Sequence, residues 1–464
     1  MKMFKYQEII SRLETEIFPK LTPGSLLPGE KELCSRYDVS DITVKKALSL
    51  LAQDRRVKRV PGKGTIFYPE RQMQMSLVSV RPPRKVFKVL TLSGWDSADL
   101  LEKMCREFTA RNPEIEFEFY RASSMYFVES SPVDYDLIHA NTWMIREYLT
   151  SPEYQDVLYP LNELPGLYLD ESIYFDECLK WCRQDQKLYC LPLGISPVIA
   201  MFNMDYPILK RIPLPECDTF EEFRNLLYRL RYQRPGEGNY YPFLLETSEN
   251  RWPCFVKMQG GRLFDAVSNH CLFDYEPTMA ALQTVQQLIQ DKVVPGMQLG
   301  LDLALNDLFS TGNIGCLWGT FKHLRGNILN GRRVQYRKLP QSETRCSHLL
   351  IEGLLVNRQV RNPEMLGQLL NYFQTSAAQL ECCREADTFS AQKELAQLYL
   401  ENLAVREPSA INLFEQIKYA EPVVPMPRNI GLKTMNGMLS KLWMGLDSVE
   451  NVCQEITETI NRKQ

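Results

Sequence analysis

Five cations, Arg55, Arg56, Lys58, Arg59 and Lys63, stand between residues 55 and 69 with no carboxylate among them. Such a set can neutralise a run of phosphates and release the counterions that a polyanion holds. A charge run alone is more often a solvated surface, so the elements that position it decide. Just upstream, RYDVSDITVKKALSLL (36–51) spaces Val44, Ala47, Leu48 and Leu51 as i, i+3, i+4, i+7, the pattern of a helix buried on one side. Its other face offers Thr43, Lys45, Lys46 and Ser49, and Ser40 or Asp41 can cap its N-terminus by accepting from the free amides of the first turn. A second group able to recognise something lies at the ends of strand-like runs: Trp95 with Asp96, and Asn141 with Trp143. A lone tryptophan is more often core than ligand platform, but two at consecutive strand ends are harder to dismiss.

The elements around the helix make a compact head over residues 1–70. Tyr6, Ile9, Ile10, Leu13 and Ile17 form one helical stripe, ended by Pro19 and Pro23-Gly24. Residues 30–37 predict a second short helix, and the turn at 38–40 leads into the one above, which together make a helix-turn-helix. VKRV and TIFY flank Pro61-Gly62-Lys63-Gly64 and read as a hairpin, the wing. In that setting the cations favour a phosphate-tracking surface. RQMQMSLVSVRPPRK (71–85), with two prolines between basic residues, predicts an extended spacer. Beyond it VFKVLTL, a helix from Ser97 to Arg111, IEFEFY and DLIHA alternate, which argues an α/β body with largely parallel sheets and ligands beyond the carboxyl ends of the strands.

At 464 residues, 44% hydrophobic and 24% charged, the chain suits two or three globular units. Its formal charge of -3 conceals an asymmetry: residues 1–70 hold 8 Lys and 5 Arg against 9 carboxylates, a net +4, leaving -7 for the rest. A basic head on an acidic body assigns a polyanion partner to the head alone. Thirteen cysteines without a CxxC pair predict reduced thiols. Cys178 and Cys182 share a helix, but no histidine lies near them in sequence, so no metal is expected, and no cofactor either. The start, MKMFKYQEII, lacks the apolar run of a signal peptide, and no stretch is long and apolar enough to span a membrane, which predicts a cytoplasmic protein. No GxSxG, HExxH, Walker A or GxGxxG pattern occurs, and His139, His270, His323 and His348 are scattered, so the chain is not expected to be an enzyme.

LTPGSLLPGEKEL, RYDVSDITVKKALSLL and KRVPGKGTIF, in this order and spacing, resemble the three signature stretches of the GntR family winged helix-turn-helix. The resemblance implies a dimer on a two-fold DNA operator, with the helix in the major groove and the wing tip at the minor groove. Carried over by position, the DNA-facing residues are Lys31, Ser40, Asp41, Thr43, Lys45, Gly62 and Lys63. Asp41 departs from the family, which usually has arginine after this serine. A carboxylate can only accept, for instance from cytosine N4, and it repels phosphate; the alternative is that Asp41 simply caps the helix. Gly29, where serine is common, is a milder change.

The body resembles family 1 extracellular solute-binding proteins, the group of the maltose-binding proteins, almost end to end. YDLIHANTW, LYPLNEL, DQKLYCLPLGISPVIAMFNMDYP with Phe202-Asn203, TFEEFRNLLYRL, WPCFVKMQGGRLFD, LFSTGNIGCLWGTF, LLIEGLLV and SVENVCQEITETINR carry the likeness. It implies a periplasmic-binding-protein-like (type II) α/β body of two lobes, about 86–195 with 352–420 and about 196–350 with 425–464, closing over a carbohydrate. By position, Trp95, Asn141, Trp143, Trp252, Trp318 and Glu352 are the cleft residues, since indole faces suit the C–H faces of pyranose rings and amides and carboxylates suit hydroxyls. Trp181 and Trp443 are assigned to packing. The family is normally exported, whereas this copy carries a DNA-binding head. The expectation is a homodimeric transcription regulator, a repressor by family analogy, controlled by a carbohydrate between its lobes. Its rivals are a regulator whose body is a ligand-free scaffold for dimerisation or protein contact, and a binding component of an importer.

Overall fold

The computed structural model describes residues 5–22, 24–53, 56–60, 63–67, 85–93, 96–123, 131–154, 156–233, 239–246, 251–265, 270–296, 309–340, 347–422 and 432–462. Contacts divide the chain into two compact units, Met1–Pro83 and Arg84–Gln464. The expected spacer lies outside the described residues except for Lys85, which already opens the first strand of the body.

In the first unit the helix Lys5–Arg12 continues as a wider π-turn through Leu13–Ile17. Ile9, Leu13 and Ile17 face inward as their spacing requires. The helix Glu30–Tyr37 ends at Asp38, which takes the left-handed conformation (φ 49°) tolerated by aspartate, and the chain turns into the helix Asp41–Gln53. Val44, Ala47, Leu48 and Leu51 are all fully buried, against Leu33, Tyr37, Val57 and Phe67. The strands Val57–Val60 and Gly64–Phe67 pair antiparallel, and Gly64 (φ 101°) supplies the backbone conformation the turn needs. A bridge from Leu26 to Ile66 adds a third edge to the wing.

Among the described residues the second unit has two large sheets, besides a short antiparallel pair of Arg183–Gln184 with Lys187–Leu188. The larger orders Phe389–Ser390, Cys190–Pro197, Ser347–Val356, Leu137–Asn141, Lys85–Ser93 and Ile115–Ser123, with Ala420–Pro422 also pairing to Ser347–Val356. The smaller orders Tyr241–Leu244, Ile314–Gly319, Ile199–Asn203 and Val334–Arg337. Both sheets are mixed, which corrects the expectation of largely parallel ones. Lys85–Ser93 pairs parallel with two neighbours, but Ser347–Val356 runs antiparallel to both Leu137–Asn141 and Cys190–Pro197. The cause is the passage between lobes: Cys190–Pro197 leads out to Ile199–Asn203, and Ser347–Val356 brings the chain back in the opposite direction. At this crossing Val198 N donates to His348 O (2.9 Å) and Ser347 Oγ to Val198 O (2.8 Å).

The period-2 alternation of Ile199–Asn203 distributes the core. Met201 belongs to a cluster shared with the larger sheet, whereas Ala200 and Phe202 face a second cluster formed by the helices Phe220–Arg229, Trp252–Met258 and the closing helix Val449–Asn461. The described cysteines are all free. No helix among the described residues is long and apolar enough to cross a membrane.

Candidate nucleic-acid interface and interlobe cleft

In the head, Ser40 is the cap: its Oγ accepts from Thr43 N (3.4 Å) and shares a hydrogen bond with Thr43 Oγ1 (2.9 Å). Asp41 is the first residue of the helix rather than its cap, and its carboxylate holds Lys45 Nζ at 2.7 Å. The helix Glu30–Tyr37 begins at Gly29 without a side-chain cap. Lys31, Ser40, Asp41 and Lys45 are exposed and Thr43 half-buried, so four of the expected residues gather at the leading end of one helix. Lys63 is exposed at the wing turn, its N donating to Val60 O (3.0 Å); Gly62 lies outside the described residues. Two of the five wing cations are engaged within the head, Arg56 by Glu14 and Arg59 by Glu30. Spacing along the sequence missed this, because both partners come from helices far upstream.

In the body, the structure redistributes the six residues expected at the cleft. Trp95 lies outside the described residues. Asn141 (6% exposed) is a helix cap, Oδ1 accepting from Trp143 N (3.1 Å) and Met144 N (3.2 Å), while Trp143 remains half-buried beside it. Glu352 stands opposite Asn141 in the sheet but is 2% exposed, with Oε2 3.4 Å from His139 Nε2. Glu352 and His139 line a cavity of about 20 Å³, room for about one water and not for a sugar ring. Trp252 and Trp318, each 1% exposed, are core residues: Trp318 packs 5.3 Å from Phe243 and 5.8 Å from Phe223, and Trp252 packs 6.0 Å from Trp443. Their expectation as cleft walls is corrected, because the alternation of Ile314–Gly319 turns Trp318 to the helix-covered side of the smaller sheet. A larger cavity, about 200 Å³, lies at the Val334–Arg337 edge and includes none of the six.

What the strand ends do carry is charge. In the smaller-sheet lobe Arg251 Nε donates to Trp318 O (2.9 Å) and lies 3.5 Å from Glu246, both residues nearly buried. His323 Nδ1 accepts from Thr320 N (3.2 Å), and burial, with Arg251 and Lys322 nearby, pushes its pKa down to about 3, so the ring stays neutral. The helix Phe321–Leu329 then reaches the other lobe. Its first amide donates to Ser196 Oγ (2.8 Å), Lys322 Nζ sits 3.1 Å from Asp387, and Arg325 pairs with Asp96 and donates to Arg384 O (3.0 Å). Asp387 also accepts from Asp96 N (3.2 Å). Burial and the Glu352 carboxylate raise its pKa to about 6, against the pull of Lys322. Of this group only Asp96 stood out in the sequence. Lys322 and His323 could have been found as the first titratable residues after a buried strand; nothing local marks Asp387. Among the described residues no group of three ligands could hold a metal ion.

Fold and surface define the class: a winged helix-turn-helix head and a two-lobed α/β body. Residues 5–67 match the family model "Bacterial regulatory proteins, gntR family", and the N-terminal unit is a GntR-type helix-turn-helix domain. The chain is 42% identical over 57 residues to the probable fructoselysine utilization operon transcriptional repressor of Escherichia coli (strain K12), covering 12% of this chain and 23% of that protein. It is 41% identical over 59 residues to the uncharacterized HTH-type transcriptional regulator YurK of Bacillus subtilis (strain 168), covering 13% and 24%. The chain thus spans about a quarter of the length of these curated relatives. The body has the fold of the ABC substrate-binding protein Lmo0181 from Listeria monocytogenes in complex with cycloalternan (TM-score 0.67, 17% identity, 82% of this chain and 98% of that chain). The maltose-bound MalE3 of T. maritima is similar (0.65, 15%, 82% and 100%), as is UgpB from Mycobacterium tuberculosis in complex with glycerophosphocholine (0.67, 14%, 82% and 98%). Neither the GntR regulators nor the solute-binding proteins are a family of enzymes.

Proposed function

We propose that the chain is a cytoplasmic transcription regulator, acting as a repressor, whose head binds operator DNA as a homodimer and whose body senses a carbohydrate between its lobes. One observation carries the reading: a GntR-type head precedes a body whose fold neighbours include proteins solved with maltose and cycloalternan. Lys31, Ser40, Asp41, Thr43, Lys45, Gly62 and Lys63 face the DNA, the helix Asp41–Gln53 entering the major groove. In the body, Trp143 and the charged helix residues Asp96, Lys322 and Arg325 contact ligand. Ligand shifts the lobes about the crossing at Val198 and Ser347, and it changes DNA affinity only by as much as it prefers one lobe arrangement over the other.

The test is a thermal-shift screen of the whole chain against mono- and oligosaccharides, followed by operator binding with each hit. A ligand at a hundred times its dissociation constant stabilises the native state by about 2.7 kcal/mol. A hit that is weakened by Trp143→Ala and alters operator affinity supports the sensor. The burial of Trp252, Trp318 and Glu352 favours a second reading, a body retained as a dimerisation or protein-contact scaffold. No shift across the panel, with operator binding intact, selects it.

A further inference from the structure

The helix Asp41–Gln53 buries Val44, Ala47, Leu48 and Leu51 completely. At roughly 100° per residue, the direction opposite that stripe is occupied by Ile42, with Lys45, Lys46 and Ser49 around it. Ile42 is 79% exposed and is the most exposed large hydrophobic residue described in the head, ahead of Leu26 at 57%. Its polar neighbours are tied to one another: Ser40 Oγ bonds Thr43 Oγ1 at 2.9 Å, and Asp41 holds Lys45 at 2.7 Å. Ile42 therefore projects between two closed polar pairs, near the N-terminal end of the helix, which is the end that reaches base edges in a helix-turn-helix.

An isoleucine side chain has no donor or acceptor, so phosphate and the polar edges of guanine, adenine and cytosine offer it nothing. The major groove presents one apolar group, the C5 methyl of thymine. We propose that Ile42 is a specificity-determining residue that selects thymine at one position of each operator half-site by packing on this methyl. The proposal rests on the DNA-binding reading of the head. Around Ile42, Lys45 and Lys46 outweigh the single carboxylate of Asp41, and this net positive charge argues for a polyanion opposite Ile42 rather than an apolar protein surface. Because the contact is apolar, its share of the discrimination does not change with salt, whereas total affinity falls as salt rises.

The test starts with selection of bound sequences from random duplex DNA by the whole chain. Each thymine of the selected half-site is then replaced singly by deoxyuridine, which removes the methyl and leaves base pairing unchanged. In the wild type one thymine per half-site should show a loss of roughly fourfold, the worth of one methyl taken out of water. In Ile42→Ala the same replacement should have no effect, and the variant should melt as the wild type does because the side chain is largely exposed. A uracil effect that persists in Ile42→Ala, or no sensitive thymine at all, overturns the assignment while DNA binding stands. Failure to enrich any sequence overturns the DNA-binding reading and this inference with it.

Discussion

Asp387 shows how far a single residue departs from its sequence expectation. Its carboxyl is buried beside Glu352 and its pKa rises from 3.8 to about 6. Between those values the native state binds a proton that the unfolded chain has already lost, so stability falls as pH rises through this window and the penalty is absent below it. Asp387→Asn should therefore flatten the pH dependence of the body between about pH 4 and pH 6, read as urea midpoints of variant and wild type at both ends. Equal slopes in the two proteins would refute the assignment. Nothing adjacent to EADTFS marks this aspartate. Its environment is made by Lys322, Asp96 and Glu352, all distant in sequence.

Secondary elements were far more legible. The recognition helix, the wing and the first strands of the body follow from periodicities of 3.6 and 2 and from glycine and proline at the turns, because these signals are local. Leu48 is a measure of how much the head depends on its stripe: fully buried against the other head helices, its replacement by alanine should destabilise the head by about 2–5 kcal/mol. Differential hydrogen exchange would place the loss in residues 5–67 and leave the body protected; a loss spread over the whole chain would contradict the division into two units. Strand direction was not legible. A βα alternation looks the same in sequence whether the next strand enters beside its neighbour or returns from another lobe, so the antiparallel entry of Ser347–Val356 needed the three-dimensional path.

At the scale of the whole molecule the body is held by its own charges. Lys322 and Arg325 on one lobe meet Asp387, Asp96 and the Arg384 carbonyl on the other. Partly exposed ion pairs are individually weak, but a lobe rotation has to break all of these together. Replacing Lys322 and Arg325 together by alanine should open the cleft and increase the radius of gyration in solution scattering, and it should weaken sugar binding because both side chains contact the ligand in the proposed sensor. An unchanged radius would show that the shared apolar cluster, and not these pairs, sets the lobe angle.

Two units, the helix-turn-helix with its wing, and an α/β body were determined by the sequence alone, through short-range pattern and motif order. The tertiary structure decided which polar and aromatic groups are available. Arg59 is engaged by Glu30 and Lys322 by Asp387, partners 29 and 65 residues apart, and Trp318 is sealed among Phe223, Phe243 and Phe255. Charge pairing and burial are set by packing between distant segments, and a residue's type and near neighbours do not encode which side of a sheet it will face.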